Sequence, residues 1–376
     1  MTAIGHTRLV RRMVAAGHQV VAATSLYVAK AEAERATGAT VEQFSPFYVD
    51  RFSRFRELKY MAWSFLFVFK YFSLWLKYRH FDVICLRNAF VGWCIPLVRW
   101  AFGARCVISI TDIMSGFLYW NSAYPRWLVD AMWKTEIWII SRFDQIFCIT
   151  EEMKQTLVAQ GIPAGKIFIS GDGVDTNLFN VSKLRKNEIS ATEQEIGVPH
   201  PRVLFYGNLH KEVVDYFLAI VDETVKLRPD VHFVVIGKGD AHDQLKSKAG
   251  TRPLVHLGYK QHDRLAPYIY GCDAGMIPYL HSQNSDVILT LKLLEYGAIG
   301  LPIVSTPLKA VYRLFNDMPW IRFEDDAVAF ARGLSEMLDR PRDAEQACYF
   351  HENYDWDAIM DHVVKEIEKD YENSHR

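Results

Sequence analysis

The sequence predicts an α/β chain of two doubly wound domains, and three observations predict it. The first is length: 376 residues correspond to about two domains at roughly 150 residues each. The second is alternation: short aliphatic or β-branched runs exchange with amphipathic helical stretches along almost the whole chain, which is the pattern of parallel α/β sheets. The third is that this alternation runs through twice, once before and once after a polar stretch at Val181–Pro201.

In the first run, strands are expected near Gln19–Thr24, Asp82–Leu86, Arg105–Ile110, Gln145–Ile149 and Lys166–Ser170. In the second they are expected near Arg202–Gly207, Val231–Ile236, Leu254–Gly258, Asp273–Pro278 and Pro302–Thr306. Helices fill the intervals, among them Glu151–Gln160, Lys211–Leu227 and Gln261–Gly271. Val181–Pro201 lacks a clear period and reads as the linker. This places one domain at 1–180 and the other at 181–353, with a last helix over Tyr354–Tyr371, capped by Asp355 or Asp357.

The beginning departs from the rule. A Rossmann-like domain opens on a strand, a glycine turn and a helix. Here Met1-Thr-Ala-Ile-Gly5 leads directly into a helical stretch, His6–Ala16, closed by Gly17. The first strand is therefore expected to be missing, and a truncated start is the favoured explanation.

Composition narrows the function classes. Six cysteines are scattered singly with no C-x-x-C pair, which points away from zinc sites and disulfide frameworks and fits a reducing compartment. The net charge of −1 conceals a basic first part, +8 over residues 1–168, and an acidic remainder of −9. A basic half beside an acidic one implies that one domain faces an anionic surface. No signal peptide is visible, and the longest apolar stretch, Met61–Leu76, is too short to span a bilayer and contains Lys70. Arg51–Arg79 holds seven Lys/Arg, one Glu and a dense aromatic series. That composition on a helix reads as an interfacial membrane element, or as a buried helix with basic ends. A nucleic-acid reading leaves the second domain unexplained.

Five segments carry candidate chemistry. Gly171-Asp-Gly-Val-Asp-Thr-Asn-Leu-Phe179 follows a strand; its glycines allow a tight turn and Asp175 can cap the next one. Composition alone makes it an ordinary loop. Thr290-Leu-Lys-Leu-Leu-Glu-Tyr-Gly-Ala-Ile-Gly-Leu-Pro-Ile-Val304 reads as helix, glycine turn and buried strand. Lys292 and Glu295, three apart, share a helix face, as a solvated pair or as a ligand site. In the latter case Lys292 adds a full charge to a helix N-terminus that already favours phosphate, and Glu295 can accept hydrogen bonds from two ribose hydroxyls. Val203-Leu-Phe-Tyr-Gly207-Asn208-Leu209 is a strand ending on a glycine turn. Ile236-Gly-Lys-Gly239 is too short a glycine signal to claim a phosphate and reads as a structural turn. In the first domain, Asp112 follows the buried strand Arg105–Ile110, at the strand end where α/β proteins bind ligands. There it is either a turn-capping residue or a general base.

Together these segments resemble retaining glycosyltransferases of the GT-B fold, family 4-like, group 1. The first resembles the family's N-G-V-D-x-x-x-F, the second its K-x-x-E-Y-x-A-x-G-x-P-V-V, and the third its G-x-L opening. The chain is also similar to the membrane-associated glucuronosyltransferases of xanthan-type exopolysaccharide assembly, at S-D-G, G-x-G-V-D-x-N-L and M-K-L-L-Q-Y. The resemblance covers nearly the whole chain and is firm from about Ile167 to Thr306. It implies a GT-B architecture of two Rossmann-like domains facing a cleft, with the terminal helix, 354–376, crossing back to the first domain. It further implies sugar transfer from a nucleotide-sugar of UDP type to a lipid-linked or polysaccharide acceptor; the basic and aromatic stretch 51–79 adds the expectation of contact with the cytoplasmic face of a membrane.

In that frame Gly207, Asn208, Lys211, Gly258, Tyr259, Lys292 and Glu295 bind the donor and Asp112 activates the acceptor hydroxyl. The nucleotide-sugar is a co-substrate, and no cofactor or metal is implied. Asp355-Trp-Asp357 looks like the D-x-D of another glycosyltransferase fold, but its place before the terminal helix favours capping. Three departures stand out: Asn208 replaces the family's arginine, Val213 its lysine, and Val287 the first of its two glutamates, with Asp286 only a neighbour. The last departure favours a base-assisted inverting displacement. Two other readings remain: an epimerase of UDP-linked amino sugars with the same fold, and a GT-B binding module without activity.

Overall fold

A computed structural model describes residues 4–24, 29–44, 56–113, 115, 116, 118, 124–209, 211–239 and 241–375. The chain divides into two compact units, Met1–Asp172 with Trp356–Arg376, and Gly173–Asp355.

The second unit is a complete doubly wound sheet. Its six parallel strands are β7 (Arg202–Asn208), β8 (His232–Lys238), β9 (Leu254–His256), β10 (Ala274–Ile277), β11 (Ile303–Ser305) and β12 (Ile321–Phe323), in the spatial order β12-β11-β10-β7-β8-β9. Read from β9, this is the order 3-2-1-4-5-6, whose direction reverses between β7 and β10; ligands of such sheets bind outside the strand ends at that point. Alternation along β7 sends Val203 and Phe205 into a core with Val214, Phe217 and Val221 of the helix Lys211–Leu227. Tyr206 goes to the other face, against Tyr296 with ring centroids 5.3 Å apart. The Tyr296 hydroxyl donates to the Leu204 carbonyl at 3.0 Å. Its ring lies where a Cβ on Gly275 would come within 2.6 Å, so β10 carries a glycine there.

In the first unit the described strands make two pieces. A parallel pair, β1 (Val21–Thr24) and β2 (Thr40–Gln43), stands apart from a four-stranded parallel sheet, β3 (Val83–Leu86), β4 (Arg105–Ile110), β5 (Gln145–Cys148) and β6 (Ile167–Ile169), in the order β3-β4-β5-β6. β5 is buried along its whole length, as expected of a parallel strand covered on both faces. Among the described residues no ladder joins the two pieces. The first described element is the helix Ile4–Ala15.

The helix Trp356–His375 packs on this unit through Trp356, Met360, Val363, Val364 and Ile367, all buried at helical spacing. Around that stripe run ion pairs of Asp357 with Arg8, Asp361 with Arg12 and Asp370 with Arg105. Partly exposed pairs of this kind contribute little each, so apolar burial carries the docking.

Three sequence expectations need correction. The supposed linker contains a helix, Lys186–Ile196, inside the second unit. It looked structureless because only Thr192 and Ile196 are buried, while its acidic groups pair with the unit's body: Glu193 with Arg202 and Glu195 with Lys260. Gln261–Gly271 is not one helix but a 3-10 turn, His262–Arg264, followed by the short helix Ala266–Tyr270; Pro267 sits in its first turn. Strands β2 and β12 were not expected, being short and carrying polar residues within Thr-Val-Glu-Gln and Ile-Arg-Phe.

Candidate functional site

The polar residues of the second unit converge at its switch point. β7 ends on Tyr206-Gly207-Asn208, and the helix Leu291–Ala298 brings up Lys292 and Glu295, both buried. A Cβ placed on Gly207 would stand 2.6 Å from Cε and 2.8 Å from Nζ of Lys292. The glycine therefore makes room for the lysine. Lys292 donates to the Tyr279 hydroxyl, just beyond β10, and its ammonium lies 4.3 Å from the centre of that ring and 5.9 Å from the ring of Tyr206. Burial lowers the Lys292 pKa to about 8, against the opposing pull of the Glu295 carboxylate.

Glu295 has both oxygens engaged. Tyr206 donates its hydroxyl to Oε2, and His262 Nε2 lies 2.6 Å from Oε1. Burial, reinforced by the Glu295 charge, raises the Tyr206 pKa well above its ordinary value, so it remains a donor. The expected pair Lys292 and Glu295 is thus assembled with Gly207. Tyr206, Tyr279 and His262 are residues that sequence reasoning missed; Tyr206 and Tyr279 had the signal of lying at or just beyond a strand end, whereas His262, on a turn six residues after β9, had none.

The other expected donor residues fall around this centre. Gly258 accepts at its carbonyl from the Gly237 amide at 2.8 Å, and Lys238 stacks over the Tyr259 ring at 4.4 Å. A Cβ on Gly237 would fall 1.9 Å from the Gly207 carbonyl oxygen and one on Gly239 2.2 Å from that of Leu209. Both glycines are therefore required by the close approach of their backbone to β7 and the turn after it. The side chains of Asn208 and Lys211 lie outside the described residues. Of the departures from the family pattern, Val213 packs against the core of the unit and Val287 is buried. Asp286 is held by His281 at 2.7 Å and by the Lys309 amide at 3.4 Å. In the Gly171–Phe179 segment, Asp175 accepts from the amides of Asn177 and Leu178 at 3.0 and 3.1 Å, and the Phe179 ring meets His262 at 5.2 Å. Before the terminal helix, Asp355 accepts from Thr176 and Asp357 from Arg8.

In the first unit Asp112 follows β4, as expected, and is half-buried. Thr111 Oγ1 lies 3.4 Å from its Oδ2 and itself accepts from Arg87 at 3.1 Å. Three residues on, Ser115 donates through its amide and hydroxyl to the buried Glu136, which ties down the loop that carries Asp112.

The helix Arg56–Tyr78 is apolar on two sides. Trp63, Phe67, Tyr71 and Leu74 are buried, whereas Phe65, Phe69, Phe72 and Leu76 form an outward stripe in which Phe69 is 64% and Phe72 59% exposed. Lys70 points inward and pairs with Glu42 at 2.9 Å, joined there by Lys77 at 2.6 Å. Hydrogen bonds from Lys77 and Lys70 hold the Glu42 carboxyl down at about 2. Residues 51–55 and the side chains up to Met61 lie outside the described residues. No described helix is long and apolar enough to cross a membrane.

Comparison with known proteins sets these observations in a family context. Residues 6–178 match the model for Glycosyltransferase Family 4 and residues 200–340 that for Glycosyl transferases group 1. The structure resembles that of HepE from Anabaena in complex with UDP and glucose, with a TM-score of 0.72 and 12% identity over 97% of this chain and 95% of that one. The fold is GT-B. Among curated proteins, this GT-B chain is 27% identical over 194 residues to the amylovoran biosynthesis glycosyltransferase AmsK of Erwinia amylovora, covering 49% of this chain and 44% of that protein. It is 24% identical over 204 residues to a phosphatidylinositol N-acetylglucosaminyltransferase polypeptide of Arabidopsis thaliana, covering 53% and 42%. The chain thus spans less than half the length of these relatives. Both sequence models name glycosyltransferases, and each falls within one structural unit of the GT-B chain apart from a few residues at a boundary.

Proposed function

We propose that this chain is a glycosyltransferase that moves a hexosyl or hexuronosyl group from a UDP-sugar to a lipid-linked or polysaccharide acceptor in glycan biosynthesis. The observation that carries the reading is the buried Lys292 at the switch point of a complete doubly wound sheet, with Glu295 beside it. A cation whose described hydrogen-bond partner is a neutral phenol is costly to bury, and a diphosphate is the ligand whose binding offsets that cost. Lys292 stabilises the charge that develops on the departing diphosphate, Glu295 receives the ribose hydroxyls, and Asp112 takes the proton from the acceptor hydroxyl. HepE supports UDP as the nucleotide, and AmsK and the Arabidopsis protein support an acceptor in polysaccharide or lipid-linked glycan assembly. The outward stripe Phe65, Phe69, Phe72 and Leu76 supports peripheral contact with a cytoplasmic membrane surface.

Calorimetric titration with UDP, GDP and ADP tests this reading. Selective binding of UDP, weakened at least about tenfold in Lys292→Ala, is expected. A folded protein that binds none of the three sinks the enzyme reading. It would leave the inactive module, which is favoured by one specific observation: Val213 and Val287 are packed where the family places a cation and a carboxylate.

A further inference from the structure

Glu295 presents a conflict. A carboxylate that is to grip a ribose must offer lone pairs to two vicinal hydroxyls, yet this one is 3% exposed and each oxygen already has a partner. The two partners differ. Tyr206 reaches Glu295 from within the sheet and is itself buried. His262 approaches from outside: it sits on a 3-10 turn, its side chain is 33% exposed, and it covers Oε1 on the solvent side.

We propose that His262 is a latch on Glu295, occupying the place that the vicinal ribose diol takes when the nucleotide binds, so that nucleotide binding displaces His262. The idea rests on the donor-site reading above. The geometry makes His262 the displaceable partner, since it belongs to a three-residue turn rather than to a strand, and its other flank is the edge of the Phe179 ring. The groups that face the imidazole are all acidic: Glu295 from the helix Leu291–Ala298, Asp175 from the loop before Phe179, and Asp263 from its own turn. Burial lowers the imidazole pKa, but the hydrogen bond and charge of Glu295 outweigh it, helped by Asp175 and Asp263, and the net direction is upward.

That direction sets the sign of the effect. Below the raised pKa the latch is an ion pair, strong and hard for a neutral diol to displace. As pH rises through that pKa the imidazole loses its charge, only a neutral hydrogen bond remains, and the diol competes better. Nucleotide affinity therefore increases with pH, and in the window between the displaced and the latched pKa of the imidazole binding releases a proton.

The test compares UDP binding by the wild-type chain and by His262→Gln, which keeps a hydrogen-bond donor but cannot titrate, between about pH 5.5 and about pH 8.5. Titration of UDP itself and of Lys292 affects both proteins alike, so the ratio of their affinities is the readout. His262→Gln should bind UDP about three- to tenfold more tightly than wild type at the acid end, where the wild-type latch is a charge-assisted hydrogen bond. The two should converge at the alkaline end. With 2′-deoxy-UDP the advantage should shrink. A pH-independent ratio overturns the latch, and so does a variant that binds more weakly throughout, which would make His262 a direct ligand. Lys292→Ala separates the two levels of failure. If wild type binds UDP through Lys292 but the ratio is flat, only the latch falls; if folded wild type binds no UDP, the donor site falls and the latch with it.

Discussion

Gly207 and Lys292 are a matched pair: the ammonium of one lies in the volume that a side chain on the other would occupy, 2.8 Å from an ideal Cβ. Gly207 also has a φ of 137°, a backbone region that other residues enter only under strain. The end of β7 thus has two independent reasons to be glycine, one of them being the lysine that defines the site.

Gly207→Ala should therefore fail twice. Backbone strain costs roughly 1–3 kcal/mol, and the displaced lysine should lower UDP affinity at least about tenfold. Lys292→Ala should lose the affinity without the strain. Thermal unfolding and calorimetry on the two variants separate the effects. Equal UDP affinity in Gly207→Ala and wild type would contradict the pairing.

Lys292 should also leave a signature in the pH dependence of stability. Its folded-state pKa of about 8 lies below the 10.5 of an unperturbed lysine, so between those values the unfolded chain binds more protons and stability rises with pH. At neutral pH, below both values, the full penalty is present and amounts to roughly 3 kcal/mol by linkage. Lys292→Met, which removes the charge and keeps most of the volume, should be more stable than wild type at pH 7. Denaturant titrations should show the gap narrowing as pH rises above about 8. A gap that stays constant would mean that the ammonium is not held at a cost.

Asp112→Asn should keep nucleotide affinity and lose transfer. A positioned general base contributes about 10²–10⁴ in rate, so turnover with an acceptor should fall by that order. UDP binding, proposed to reside in the other unit, should change by less than about twofold. Unchanged turnover would assign Asp112 to turn geometry alone.

The outward stripe of the helix Arg56–Tyr78 predicts a vesicle phenotype. Phe69→Ser with Phe72→Ser removes two largely exposed rings, each worth about 1 kcal/mol of apolar transfer. Co-sedimentation with anionic vesicles should weaken roughly ten- to thirtyfold while the melting temperature stays the same. Loss of stability instead would show that the stripe serves the fold.

Much of this was legible without coordinates. Ten of the twelve described strands follow from short aliphatic or β-branched runs between turn signals, most plainly β8 and β10, whose interiors are buried and apolar. The missing ones, β2 and β12, contain Glu42 and Arg322, where local composition argues against a strand and neighbouring parallel strands decide the matter. The helix Lys186–Ile196 was hidden for a related reason. Its polarity is that of a loop, and its place is set by ion pairs to Arg202 and Lys260, residues whose proximity no local pattern announces.

The sequence by itself determined the α/β class, the double run of strands and helices, and the pairing of Lys292 with Glu295, since three-residue spacing on a helix places two side chains on one face whatever surrounds them. Tertiary structure decided what that pair meets. Tyr206 lies 89 residues from Glu295 and His262 33 residues from it; β7 beside β10 brings Tyr206 to that carboxylate, and the 3-10 turn after β9 brings His262. It also decided that Lys70 faces inward to Glu42 while Phe69 and Phe72 face outward. Helical periodicity gives the angle between side chains, but which side is the inside depends on what packs against it.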